Sequence, residues 1–250
     1  MNLPRSPWLV RQSGAGRRLR LYCFCYAGGS AANYASWQAE LDPAIEICAI
    51  ELPGRGRRFG EEPQTSLAAV TATVAKLIAS QGSMPFAFFG HSLGALLAFE
   101  VARYLHHHGL PTPRHLFLSG ASAPQHRRKL ELHLLADDAL IEELKRYNGT
   151  PLVVLEHREL MELLLPVIRA DFALAGNYAY RPGALLNMSM TVLMGREDKN
   201  GEGEHVEGWK KETSGDCRIA WFDGDHFFIH PQRAAVFDCI RSELLGVACT

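Results

Sequence analysis

The chain has 250 residues, 47% of them apolar and 21% charged, with a formal net charge of −1. This is ordinary globular material able to bury a core, and its charge balance excludes a global electrostatic case for nucleic acid or an anionic membrane surface. No apolar stretch is long enough to cross a bilayer. Arg17, Arg18 and Arg20 interrupt the order that a secretory signal needs, so a cytoplasmic protein is expected.

In chain order, β-type runs alternate with helical ones. The predicted strands are "LRLYCFCY" (19–26), "IEICAI" (45–50), "PFAFFG" (85–90), "HLFLSG" (115–120), "MTVLMG" (190–195) and "RIAWFD" (218–223). Most are nearly continuous apolar runs, as parallel strands covered on both faces require. Helical patterns lie between them: "SLAAVTATVAKLIASQ" with Thr65 or Ser66 as N-cap, and "LGALLAFEVARYLHHHG" closed by Gly109 and Pro111. The last is "PQRAAVFDCIRSELLG", with Pro231 suited to its first turn. The alternation predicts an α/β fold, a mostly parallel central sheet with helices on both faces.

Residues 124–187 break the rhythm. "DDALIEELKRYNG" reads as an amphipathic helix, and "HRELMELLLPVIRADFALAGNYAY" as two helices meeting near Pro166. The expectation is a single domain over 1–250 with a helical cap inserted at about 124–187. Cys23, Cys25, Cys48, Cys217, Cys239 and Cys249 are expected to be reduced. No Cys/His spacing suggests zinc. The "HHH" run at 106–108 reads as a solvated helix end, since consecutive helical residues do not share a face.

The chemistry begins at "FFGHSLG" (88–94), a G-x-S-x-G that follows an apolar strand and opens a helix. That arrangement is a nucleophile elbow, and it makes Ser92 the candidate nucleophile. A hydroxyl needs a base, and in an α/β-hydrolase fold the order is Ser, then Asp or Glu, then His. His226 in "WFDGDHFFIHP" follows the last strand; His205 reads as a solvated loop residue, and His230 as part of the start of the final helix. Asp198 in "GREDKN" is the chosen acid, with Glu197 its close competitor. Asp223 and Asp225 lie too near His226 along the chain. The oxyanion donors are expected to be the backbone N–H groups of Leu93 and of Ala27, the latter in the "CYAGGS" loop beside Gly28.

These pieces, in this order, resemble the type II (editing) thioesterases of non-ribosomal peptide and polyketide synthases. The resemblance is carried by "LYCFCYAGGSAANYASWQAEL", "IELPGRGRRFGEEP", "FFGHSLGALLAFEVAR", "ELMELLLPVIRADFALAGNYAY", "GREDKN" and "GDHFFI", from about residue 19 to about 245. Cys25 departs from it, standing where the family usually has proline before the oxyanion loop. The resemblance implies a serine hydrolase that removes acyl groups from the phosphopantetheine thiol of carrier proteins. Ser92, Asp198 and His226 would be catalytic, Ala27 and Leu93 would be the donors, and no cofactor of its own would be needed. It implies acyl or peptidyl carrier proteins as partners, with no nucleic acid or membrane, and a monomer is expected.

Because carrier proteins are generally acidic, two basic groups are docking candidates: Arg55, Arg57 and Arg58 in one, and Arg127, Arg128 and Lys129 in the other. Solvated surface is the ordinary alternative for both. The competing functions are a general carboxylesterase, a medium-chain acyl-carrier-protein thioesterase, a chain-releasing domain cut from a synthase, and a non-catalytic acyl or carrier-binding module.

Overall fold

The computed structural model describes residues 6–201 and 203–246. Its sheet has seven strands in the order β1-β3-β2-β4-β5-β6-β7. These are β1 (Leu9–Arg11), β2 (Leu19–Phe24), β3 (Ile45–Ile50), β4 (Phe86–His91), β5 (His115–Ser119), β6 (Ser189–Gly195) and β7 (Cys217–Phe222). All neighbours pair in parallel except β1, which runs antiparallel to β3 with Leu9 opposite Ile50. Six of the strands are those expected from the apolar runs. β1 was not anticipated, because three half-buried residues are too short to show a period.

The helices are α1 (Trp37–Glu40), α2 (Leu67–Ala79), α3 (Leu93–His107), α4 (Asp137–Tyr147), α5 (Leu152–Leu155), α6 (Arg158–Gly176), α7 (Gly203–Glu207) and α8 (Arg233–Leu245). Alternate residues of each central strand serve opposite faces. Tyr22, Phe24, Phe86 and Phe88 pack with Val74 and Ile78 of α2 and Leu96 and Phe99 of α3. Leu21, Cys23, Ala87 and Phe89 turn the other way, to Trp37 of α1 and to Val236, Phe237 and Ile240 of α8. Helices therefore cover both faces. Ser66 caps α2, its hydroxyl accepting from the Ala69 N–H at 3.3 Å. Gly109, at φ +62°, follows the end of α3. Cys23, Cys25 and Cys48 are buried, and burial pushes each thiol up. Cys249 lies outside the described residues.

The chain between β5 and β6 forms helices α4, α5 and α6, with no strand. Here two expectations are corrected. Pro166 does not separate two helices but lies inside α6. Met161, Leu165 and Ile168 continue one apolar stripe across it and pack with Leu140, Leu144 and Leu155, which outweighs the hydrogen bond that proline removes. Pro231 is not in the first turn of the last helix, which begins two residues later at Arg233; His230 lies in the turn before it, its N–H donating to the Phe227 carbonyl at 3.0 Å. Among the described residues no helix is long and apolar enough to cross a membrane.

Candidate active site

The C-terminal ends of the parallel strands carry the site. Ser92 joins β4 to α3 at φ +58° and ψ −111°, a strained conformation for a residue with a side chain. Its N–H donates to the Ser119 carbonyl at 2.8 Å, which ties the turn to the end of β5. A Cβ on Gly90 would lie 2.1 Å from the Gly94 carbonyl oxygen, and one on Gly94 would lie 2.0 Å from that of Phe24. Both glycines are therefore required by backbone contact. The first N–H groups of a helix have no intrahelical partner. Leu93, the first residue of α3, is buried against the core and brings that positive end to the serine.

His226 and Asp198 meet across two loops. His226 Nδ1 and Asp198 Oδ2 are 2.7 Å apart, each residue being 7% exposed. The loops after β6 and β7 are bound backbone to backbone, through Arg196 N–H to the Phe222 carbonyl and Glu197 N–H to the Gly224 carbonyl. With Nδ1–H given to the carboxylate, Nε2 is the ring's acceptor. The other carboxylates near the ring have different partners. Glu197 is exposed, Asp223 pairs with Arg196, and Asp225 accepts from Asn148 and from the Phe227 N–H. His205 stacks on His126 in α7, 5.5 Å between centroids, and was expected in a solvated loop.

His91, the residue before Ser92, lies with its ring 4.9 Å from that of His226. Its Nδ1 is 2.9 Å from Ser119 Oγ. Burial, and then the neighbouring charge of His226, hold His91 well below the ordinary imidazole range. A neutral ring therefore packs behind the paired one.

The loop after β2 completes this edge. Gly28 N–H donates to Asp171, Gly29 N–H to the Tyr26 carbonyl, Ser30 N–H to Asn33 and Ala31 N–H to Glu51. Residues 28–31 thus have their amides committed, and Ala27 is the residue of the loop at the tip of that run. The helical insert touches the same edge. Tyr147 lies 5.7 Å from the His226 ring, and Asn148, at φ +56°, donates to Asp225 at 3.0 Å.

Residues 19–244 match the family described as "Thioesterase domain". The chain belongs to the thioesterase family. It is 37% identical over 239 residues to the gramicidin S biosynthesis protein GrsT of Aneurinibacillus migulanus, spanning 95% of this chain and 93% of that one. It is 33% identical over 249 residues to the thioesterase PikA5 of Streptomyces venezuelae, spanning 98% and 88%. Its fold is that of the type II thioesterase BorB from the borrelidin biosynthetic cluster, with a TM-score of 0.88 and 32% identity over 96% of this chain and 99% of that one.

In this thioesterase the docking candidates are not all at the surface. Arg55 and Arg58 are 7% and 5% exposed and are corrected to internal groups. Arg55 is paired with Asp171; Arg58 is paired with Glu61, bonded to the Glu51 carbonyl and stacked 4.2 Å over Trp8. Arg127 is half-buried, whereas Arg57, Arg128 and Lys129 are exposed. A cleft of about 710 Å³ between α2, α3 and the chain after α6 is lined by Glu100, Arg103 and Tyr178 and includes neither Ser92 nor His226. Asp171 and Asn148 were not singled out from the sequence. Asp171 sits among the apolar residues of "RADFALAG", and a lone acid on a buried face is the signal that marks it.

Proposed function

We propose that the protein is a serine thioesterase that frees carrier proteins of unwanted acyl groups held on their phosphopantetheine thiol, an editing role beside a non-ribosomal peptide or polyketide synthase. The observation that carries the reading is the strained Ser92 turn, whose preceding residue His91 lies 4.9 Å from a His226 ring already hydrogen-bonded to Asp198. His226 Nε2 takes the Ser92 proton as Oγ attacks the thioester carbonyl. The Leu93 and Ala27 N–H groups receive the developing oxyanion. The tetrahedral adduct collapses to an acyl-serine as the thiolate leaves and takes a proton from His226. Water, deprotonated by His226, then attacks the ester and returns free Ser92 and a carboxylic acid. Asp198 keeps Nδ1 protonated and supports the imidazolium in both halves.

The choice of a carrier-bound thioester rests on the relatives, since a serine–histidine–aspartate set does not itself prefer sulfur over oxygen esters. Within this reading the protein works as a cytoplasmic monomer on a partner carrier, with no cofactor, nucleic acid or membrane involved. Arg57, Arg128 and Lys129, which are exposed, and the half-buried Arg127 are the remaining docking candidates. Hydrolysis of acetyl- and longer acyl-carrier proteins is compared with that of matching oxygen esters, for wild type and Ser92→Ala. Preference for the carrier-bound thioester, lost by at least about 10⁴-fold in Ser92→Ala, is expected. Equal or faster oxygen-ester hydrolysis would sink the editing role in favour of a carboxylesterase, and activity surviving in Ser92→Ala would overturn the nucleophile.

A further inference from the structure

The proposed chemistry leaves unused the most completely buried ion pair near the site. Arg55 Nη1 and Nη2 donate to Asp171 Oδ2 and Oδ1, both at 2.7 Å, and Asp171 is 0% exposed. A buried pair of this kind is weak evidence for stability, because desolvation offsets most of its attraction. Its other contacts point to a different use. Asp171 Oδ2 also accepts from the Gly28 N–H at 2.8 Å, and Arg55 Nη1 also donates to the Gly29 carbonyl at 3.0 Å.

Both contacts bear on Ala27. The Ala27 N–H and the Tyr26 carbonyl belong to one rigid peptide plane, and that carbonyl is held by the Gly29 N–H at 2.9 Å. The next plane, which carries the Gly28 N–H, is held by Asp171. The direction of the Ala27 N–H is thus set by the two planes that meet at Ala27, one bonded within the loop and one bonded to α6. Gly28 stands at φ +76°, and Ile168 of α6 lies 3.1 Å from where its Cβ would be, so the loop has closed against the helix.

We propose that Asp171, fixed by Arg55, is a positioning residue for the reaction: it pins the loop of residues 26–29 so that the Ala27 N–H is aimed at the oxyanion before substrate arrives. The oxyanion site is then a joint product of the sheet and of α6, and it is complete only while the C-terminal half of α6 is seated. Preorganised donors work because no reorientation is needed as charge develops, so the effect falls on the transition state and not on substrate binding. The inference rests on the role given above to Ala27.

The test uses Asp171→Asn and the double variant Arg55→Met/Asp171→Leu, which leaves no buried charge unpaired if the single change fails to fold. For each, kcat and KM on an acetyl-carrier protein are measured with the thermal midpoint, the affinity for an alkylboronic acid and labelling of Ser92 by a fluorophosphonate. The expected result is a fall in kcat of about 10²-fold, with KM within about threefold and boronate affinity lost in the same proportion as kcat. A folded variant that keeps kcat within about threefold overturns the inference, as does one whose KM rises while kcat stands. Wild type that resists the fluorophosphonate and turns over no thioester overturns the reading of the site itself, a different result from either.

Discussion

The two halves of the candidate site, the Ser92 turn and the Ala27 loop, are built in opposite ways. The Ser92 turn is made by its own neighbours in sequence, Gly90 pressed against Gly94 with the strain at Ser92 between them, and by the backbone of the adjoining strand ends at Phe24 and Ser119. The Ala27 loop is made from afar, by an arginine 116 residues from its aspartate and an aspartate 143 residues from Gly28. A locally built turn keeps its shape whenever the sheet forms. A loop held by distant groups has its shape only when separate parts of the chain have come together, which makes it the softer half of the site.

Four substitutions, in falling order of effect, test the two halves through Gly94 and Gly28 and set them against the base at Asp198 and a control at His115. Asp198→Asn tests the base, whose partner lies 28 residues away. It is expected to lower kcat by about 10⁴-fold with an unchanged thermal midpoint, because the amide favours the wrong imidazole tautomer. Gly94→Ala would set a methyl 2.0 Å from the Phe24 carbonyl oxygen, backbone that cannot move aside. A loss of about 3 kcal/mol in urea unfolding is expected.

His115→Gln lies at the opposite end of β5 and touches neither half. Burial, chiefly, lowers the imidazole of His115 from 6.5 to about 4. The unfolded chain therefore takes up that proton first as pH falls, so stability present above pH 6.5 is lost steadily towards pH 4 and not below it. Between pH 6.5 and 5 wild type should lose about 2 kcal/mol more than the variant, read from denaturant midpoints. That measurement separates unfolding from chemistry in any pH–rate profile. Gly28→Ala has the smallest expected effect on stability, about 1 kcal/mol from the positive φ, since its Cβ would meet a side chain, Ile168 Cγ1 at 3.1 Å, and no backbone atom. If Gly28→Ala proves as damaging as Gly94→Ala, the contrast between the two halves fails.

The same contrast explains what could be read from the sequence. Continuous apolar runs gave six strands, and the pair of glycines around Ser92 gave the turn, because both signals are local. The helical insert was legible as a gap in the strand rhythm. Arg55 and Arg58 were misread as surface charges, because "GRGRRF" has the composition of a solvated loop and nothing nearby names the acid that buries Arg55. Pro166 was misread for the converse reason: a local rule for breaking helices was outweighed by packing against Leu140, Leu144 and Leu155. β1 was too short to register, and Asp171 could not be linked to Gly28 without the fold.

Pro166 has a mechanical meaning as well. It has no N–H to return to the preceding turn, so α6 is missing one rung between Met161, which packs within the insert, and Asp171, which grips the sheet side. Bending a helix costs least where a rung is already absent. Any bend forced on α6 is therefore expected to fall at Pro166, which would leave the Asp171 hold on Gly28 in place.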